Sequence, residues 1–140
     1  MKSIHILLVE DNEGDVMLIK EAFEDGCIAN ELSVCRDGEK AINYLLKKGE
    51  YKDAVTPDLI ILDINLPRKN GHEVLQFIKE SEELKQIPVI MLTTSSSERD
   101  IAKSYKSHAN CYITKPIEVE DFIKAVTDIE NFWINLVKLP

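Results

Sequence analysis

Residues 58–63 read DLIILD: four apolar residues in a row, preceded by Pro57 and closed by a carboxylate. The run is too short for a helix, and it does not alternate as a strand with one wet face would. A short continuous apolar run of this kind marks a strand buried on both faces. Two more segments behave alike, IHILLV (4–9) and IPVIMLTT (87–94). Strands covered on both sides belong to parallel sheets whose crossover helices coat both faces.

Working outward, helical periodicity fills the gaps between these strands. EGDVMLIKEAFEDG (13–26) carries Val16, Ile19 and Phe23 at helical spacing. DGEKAINYLLKKG (37–49) starts on a capping Asp37 and places Ala41, Tyr44 and Leu45 on one side. NGHEVLQFIKES (70–81) is amphipathic through Val74, Leu75 and Ile78. SERDIAKSYKSH (97–108) is a more polar helix, and IEVEDFIKAVTDIENFWINLV (117–137) begins just after Pro116. ELSVCR (31–36) and NCYIT (110–114) supply two shorter strands, and GEYKDAVTP (49–57) reads as a polar loop. The result is five strand-then-helix units: an α/β, doubly wound, five-stranded parallel sheet with helices on both faces. Such a sheet binds ligands beyond the carboxyl ends of its strands, where strand order reverses.

Composition narrows the function. The chain has 140 residues, 44% hydrophobic and 30% charged, with net charge −8. That is ordinary for one soluble domain and opposite in sign to a nucleic-acid or anionic-membrane binder. No apolar run is long enough to span a bilayer, and the N-terminus lacks a signal-peptide pattern. The three cysteines (27, 35 and 111) are odd in number and have no metal-like spacing, so they read as packing residues in a reducing compartment, the cytoplasm.

The strand ends carry the chemistry. The first ends in adjacent Glu10 and Asp11, the third in Asp63, the fourth in Thr93 and Thr94, and the fifth leads to Lys115 and Pro116. In a parallel sheet these ends share one edge. Paired carboxylates at the end of a buried strand repel each other and call for a cation. Hard oxygen ligands of this kind suit Mg²⁺. With Mg²⁺ bound, Asp63 could attack a phosphoryl group as an aspartyl nucleophile, with Lys115 offsetting charge and Thr93 donating a hydrogen bond. Taken singly, each residue has a plainer reading: Asp63 as a loop cap, Glu10 or Asp11 as a cap for the first helix, Thr93 as a β-branched strand residue, Lys115 as a surface cation. Their convergence favours the site. His5, His72 and His108 share no spacing and read as surface or core residues.

At VEDN (9–12), ILDINLPRKNG (61–71), VIMLTT (89–94) and YITKP (112–116), in that order, the chain resembles the receiver domain of two-component response regulators. The resemblance covers residues 4 to about 130. It implies a flavodoxin-like sheet of order 2-1-3-4-5 and phosphorylation of Asp63 by a histidine kinase. It implies Mg²⁺ held by Glu10, Asp11, Asp63 and the backbone carbonyl of Asn65. It also implies contact of Thr93 and Lys115 with the phosphoryl group, an aromatic switch at Tyr112 acting with Thr93, and a cis bond before Pro116. Two positions depart from the family's pattern. Glu10 stands where Asp is commoner, and its extra methylene suggests that it reaches the metal through water. Thr94 stands where a smaller residue is common and would crowd the phosphoryl group.

The C-terminal segment keeps an apolar stripe through Phe122, Val126, Ile129, Trp133 and Leu136, widened by Phe132, Val137 and Leu139. Residues 1–130 are therefore read as the receiver domain and 131–140 as an apolar helical extension that joins two copies into a homodimer; the plainer reading is a tail folded back on its own domain. FWINLVKLP (132–140), LPRKNG and the 49–57 loop also resemble the single-domain regulators of bacterial and cyanobacterial phytochrome kinases. The expectation is a phosphorelay switch that is not a turnover enzyme, with a phytochrome-type histidine kinase as partner and neither nucleic acid nor membrane. The alternatives are an Mg²⁺-dependent aspartyl phosphohydrolase, in which position 65 would ordinarily be a second Asp, and a degenerate interaction-only receiver. A nucleotide or flavin binder would need a glycine-rich first turn, where VEDNEGDV offers carboxylates.

Overall fold

Ile61 and its neighbours divide the core. In the computed structural model, which describes residues 4–25, 30–93, 109 and 111–138 with side chains up to residue 129, β3 (Leu59–Asp63) is buried at every position. Its alternate side chains enter two separate clusters. Ile60 and Leu62 join Leu7, Val9, Val89 and Met91 on one face; Leu59 and Ile61 join Ile6, Leu8, Ile90 and Leu92 on the other. That is the two-residue period of a strand with apolar material on both sides. β4 (Val89–Thr93) is likewise wholly buried, and β1 (Ile4–Val9) is buried over its last four residues.

With β2 (Asn30–Cys35) and β5 (Cys111–Thr114), the strands form one parallel sheet of order β2-β1-β3-β4-β5. Helices cover each face. α1 (Glu13–Asp25) contributes Val16, Ile19, Ala22 and Phe23, and the C-terminal helix α4 (Val119–Lys138) contributes Phe122 and Val126 to the same side. Phe23 and Phe122 meet edge-to-face, with centroids 5.5 Å apart. α2 (Gly38–Leu45) and α3 (Gly71–Glu80) cover the opposite face through Ala41, Leu45, Val74, Leu75 and Ile78. The expected sheet and strand order are present, and so are the apolar helix faces through Val16, Ile19 and Phe23, through Ala41 and Leu45, and through Val74, Leu75 and Ile78.

The elements differ from expectation mainly at their ends. The second helix stops at Leu45 rather than Gly49, because Lys47 takes a left-handed backbone and the chain then makes a short 3₁₀ turn, Gly49–Tyr51, inside the segment read as loop. Asp37 caps α2 as expected, accepting from the Lys40 N–H at 2.7 Å. α1 is capped by neither Glu10 nor Asp11: Asn12 Oδ1 accepts the Asp15 N–H at 3.0 Å. The helix expected over 97–108, together with Thr94, Cys27 and His108, lies outside the described residues. So do the side chains of Phe132, Trp133, Leu136 and Val137 and all of Leu139. Among the described residues, no helix is long and apolar enough to cross a membrane.

One close approach fixes Asp63. α3 begins with a reciprocal cap, in which Asn70 Oδ1 accepts from the Glu73 N–H and Glu73 Oε1 accepts from the Asn70 N–H. This brings Gly71 against the end of β3, its N–H bonded to the Ile64 carbonyl at 2.9 Å. A Cβ at Gly71 would stand 2.3 Å from the Asp63 carbonyl oxygen and 2.7 Å from Ile64 Cα. Both are backbone atoms and neither can swing aside. Gly71→Ala is therefore expected to destabilise the fold by about 1–3 kcal/mol. Urea unfolding checks this, and an unchanged midpoint would contradict so tight a junction.

Candidate functional site

The carboxyl edge of the sheet gathers the chemistry named by the sequence. Glu10 follows β1 and is fully buried, its own N–H bonded to the Cys35 carbonyl at 3.0 Å. Asp63 ends β3 with 2% of its surface exposed, and Asp11 is exposed beside them. Ligand oxygens of Glu10, Asp11 and Asp63 all lie within 4.8 Å of one another. Three carboxylates at such range form a hard oxygen donor set that fits a divalent cation.

Lys115 reaches into the same cluster. Its N–H bonds to the Thr93 carbonyl at 2.6 Å, and a cis peptide follows it, as the resemblance implied. Its Nζ lies 3.0 Å from each oxygen of Glu10, 3.1 Å from Asp63 Oδ2 and 2.8 Å from Asp15 Oδ2. Asp63 Oδ1 in turn accepts the Asn65 N–H at 3.0 Å, and Glu10 Oε1 accepts the Asn12 N–H at 3.1 Å. Each carboxylate is thus held by one backbone donor and one ammonium, so its oxygens are fixed in direction. Glu10 therefore sits inside the cluster with Asp63.

Thr93 is buried at the end of β4, one residue beyond Leu92, which pairs with Asp63. Tyr112 is half-buried on β5 and packs against the cluster beneath α2 and α3. His5 Nδ1 lies 3.2 Å from a Glu31 oxygen, and His72 is buried at the start of α3, so both stand where a surface or core histidine was expected. Cys35 is buried and Cys111 half-buried. The sequence reading missed Asp15, which by position is an ordinary acidic residue in the first turn of a helix. Nothing local to it points at a lysine a hundred positions later.

Electrostatics follow from burial. Glu10 rises from its ordinary 4.5 to about 7, chiefly through burial; Lys115 opposes the rise, and the nearby charge of Asp63 adds to it. Lys115 is pulled down by burial, but hydrogen bonds to Asp15, Glu10 and Asp63 outweigh that and raise it. In the unfolded chain Glu10 titrates near 4.5 and in the folded one near 7, so the folded state holds the extra proton between these values. The contribution of this group to stability is present below pH 4.5 and is lost as pH rises through 7. Glu10→Gln, which cannot ionise, should therefore gain stability relative to the parent as pH rises. Thermal melts in chelator at pH 5 and pH 8 check this. A melting-temperature difference between the two proteins that stays flat with pH would contradict it.

A parallel sheet that turns carboxylates and a lysine onto one edge, with no glycine-rich first turn, fits metal-assisted aspartyl chemistry rather than a nucleotide-binding α/β domain. A family model described as the response regulator receiver domain matches residues 6–127, and the chain belongs to that family. Response regulator Rcp1 of Synechocystis sp. is 47% identical over 135 residues, covering 96% of this chain and 92% of Rcp1. Among solved structures, the phosphorylated cyanobacterial phytochrome response regulator RcpA superposes with a TM-score of 0.83 at 47% identity, over 99% of both chains. The Mn²⁺-bound form of Rcp1 superposes with a TM-score of 0.81 at 47% identity, covering 98% of this chain and 99% of that one.

Proposed function

We propose that the protein is a phospho-acceptor switch that takes a phosphoryl group from a histidine kinase onto Asp63 and changes its protein contacts in response. The carrying observation is the disposition of Asp63: one oxygen is bonded to the Asn65 N–H and the other lies 3.1 Å from the Lys115 ammonium. In the transfer, an Asp63 oxygen forms a bond to phosphorus while the phosphorus–nitrogen bond of a kinase phosphohistidine breaks, its electron pair leaving with the imidazole. Lys115 offsets charge on the transferred oxygens, and the Thr93 hydroxyl donates to them. Mg²⁺, held by Glu10, Asp11, Asp63 and the Asn65 carbonyl, would supply further positive charge to the same oxygens. Thr93 moving toward the phosphoryl group, with Tyr112 turning inward behind it, would carry the change to the surface around β5 and α4.

Three further assignments belong to this reading. The domain is a phospho-acceptor rather than a turnover phosphohydrolase. Supporting this, position 65 is Asn, with a backbone N–H on Asp63 and no carboxyl to serve as acid. The kinase is of phytochrome type, a reading supported by 47% identity to Rcp1 and to the phytochrome regulator RcpA. The chain self-associates through α4 and the tail, with residues 131–140 as an extension of the 1–130 receiver, a reading supported by the apolar stripe in the sequence.

Intact-mass spectrometry after incubation with acetyl phosphate and Mg²⁺ tests the central assignment. The expected result is a single phosphoryl adduct, removed by hydroxylamine as an acyl phosphate should be and mapping to the peptide that contains Asp63. A hydroxylamine-resistant adduct, or none from either acetyl phosphate or a phosphorylated kinase, would overturn it.

A further inference from the structure

Asp15 lies in the first turn of α1, where a carboxylate is common because it faces the positive end of the helix dipole. Its contact is more specific than that. Asp15 Oδ2 lies 2.8 Å from Lys115 Nζ, shorter than the distances of that ammonium to Glu10 and Asp63. The Asp15 backbone is itself fixed, since its N–H donates to Asn12 Oδ1. Yet Asp15 is not among the carboxylates grouped closely enough to share an ion, which are Glu10, Asp11 and Asp63.

The cation and the ammonium want the same atoms. Lys115 now engages both Glu10 oxygens and Asp63 Oδ2, which belong to two of the three residues able to hold a divalent ion. Positive charges a few ångströms apart in a partly buried pocket repel strongly. Entry of a divalent ion therefore favours withdrawal of Lys115 from those oxygens. Leaving it without any partner would be costly, because the side chain is only 10% exposed. Among the described residues, Asp15 is the anion that remains in contact with it.

We propose that Asp15 is a positioning residue for Lys115: it holds the ammonium at the margin of the pocket when a divalent cation occupies Glu10, Asp11 and Asp63. Without it, Lys115 collapses onto Glu10 and Asp63 and competes with the ion. That Lys115 is thereby kept within reach of a phosphoryl group on Asp63 rests on the phospho-acceptor reading; the competition with the cation does not.

The test is a double-mutant cycle read by calorimetric titration with Mg²⁺, repeated with Mn²⁺, on the whole chain. Asp15→Asn should weaken binding about 5- to 10-fold in the parent, the size of coupling expected between contacting residues. In a Lys115→Met background the same change should cost less than about twofold, because there is no ammonium left to place. Asp15→Glu should recover most of the parent affinity and serves as the second variant. An equal loss in both backgrounds would mean that Asp15 acts through its own charge or as a ligand, and would overturn the proposal. So would no loss in the parent. Because the readout is cation affinity, a protein that never accepts phosphate would overturn the phospho-acceptor reading while leaving this cycle interpretable.

Discussion

Asp63→Asn is expected to carry no phosphoryl adduct under conditions that label the parent fully. The replacement is nearly isosteric, in a pocket where Asp63 is 2% exposed and both oxygens are engaged, so the sheet edge is retained. What changes is the chemistry. An amide oxygen is far less nucleophilic than a carboxylate, and the acyl phosphate cannot form. The amide also presents an N–H to one of two donors, the Asn65 N–H or the Lys115 ammonium, so one of those hydrogen bonds is lost in either orientation. Removing one of three clustered carboxylates should in addition weaken divalent-cation affinity by at least about tenfold, a loss that even outer-shell partners of a metal can cause. Intact-mass spectrometry and Mg²⁺ titration of the pair check both effects. An adduct that persists on Asp63→Asn would move the acceptor elsewhere, to Asp11 or to a residue outside the edge.

The contrast between Asp63 and Asp15 explains how much was legible beforehand. Asp63 announces itself because it interrupts an apolar run, and the period of such runs follows directly from burial. The same logic yields the sheet, the two apolar faces and the helix stripes through Val16, Ile19 and Phe23 or Val74, Leu75 and Ile78. Strand ends on a parallel sheet must share an edge, so Glu10, Asp11, Thr93 and Lys115 could be placed together before any coordinates. Contacts that depend on side-chain reach were not legible. Asp15 and Lys115 are separated by the whole sheet in sequence, and Asp15 looks like an ordinary first-turn acid. Gly38 is similar: it reads as a helix-start residue, yet a Cβ there would stand 1.9 Å from the Lys69 carbonyl oxygen. The start of α2 is therefore pressed onto the loop that follows Asp63. The short second helix, ended by the left-handed Lys47, was hidden for a different reason, since Leu46 continues the apolar pattern past the point where the backbone turns.

Lys115→Met should lower the stability of the metal-free protein by about 3 kcal/mol at pH 8, the lower end of the cost of stripping one partner from a buried ion pair. The lower end applies because exposed Asp11 lets water approach the cluster. Methionine keeps an unbranched stem one heavy atom shorter than that of lysine, so packing along the stem changes little and the effect chiefly reports the lost ammonium. In the parent, one ammonium serves Glu10, which is fully buried, together with Asp63 and Asp15. Without it, Glu10 and Asp63 keep backbone donors from Asn12 and Asn65 but no counter-charge among the contacts now seen. Two conditions should restore the variant. Lowering the pH protonates Glu10, whose pKa rises further once Lys115 no longer opposes burial, so the deficit shrinks towards pH 5. Millimolar Mg²⁺ replaces the missing charge and binds the folded form alone, so the variant should gain more melting temperature from Mg²⁺ than the parent does. The same variant should also accept phosphate more slowly, because the charge that offsets the transferred oxygens is gone. Melts of both proteins at pH 5 and pH 8, in chelator and in Mg²⁺, separate these terms. Equal melting of the two metal-free proteins at pH 8 would mean that water, rather than Lys115, already compensates the carboxylates, and the pocket would then be an open acidic surface instead of a closed charge cluster waiting for its cation.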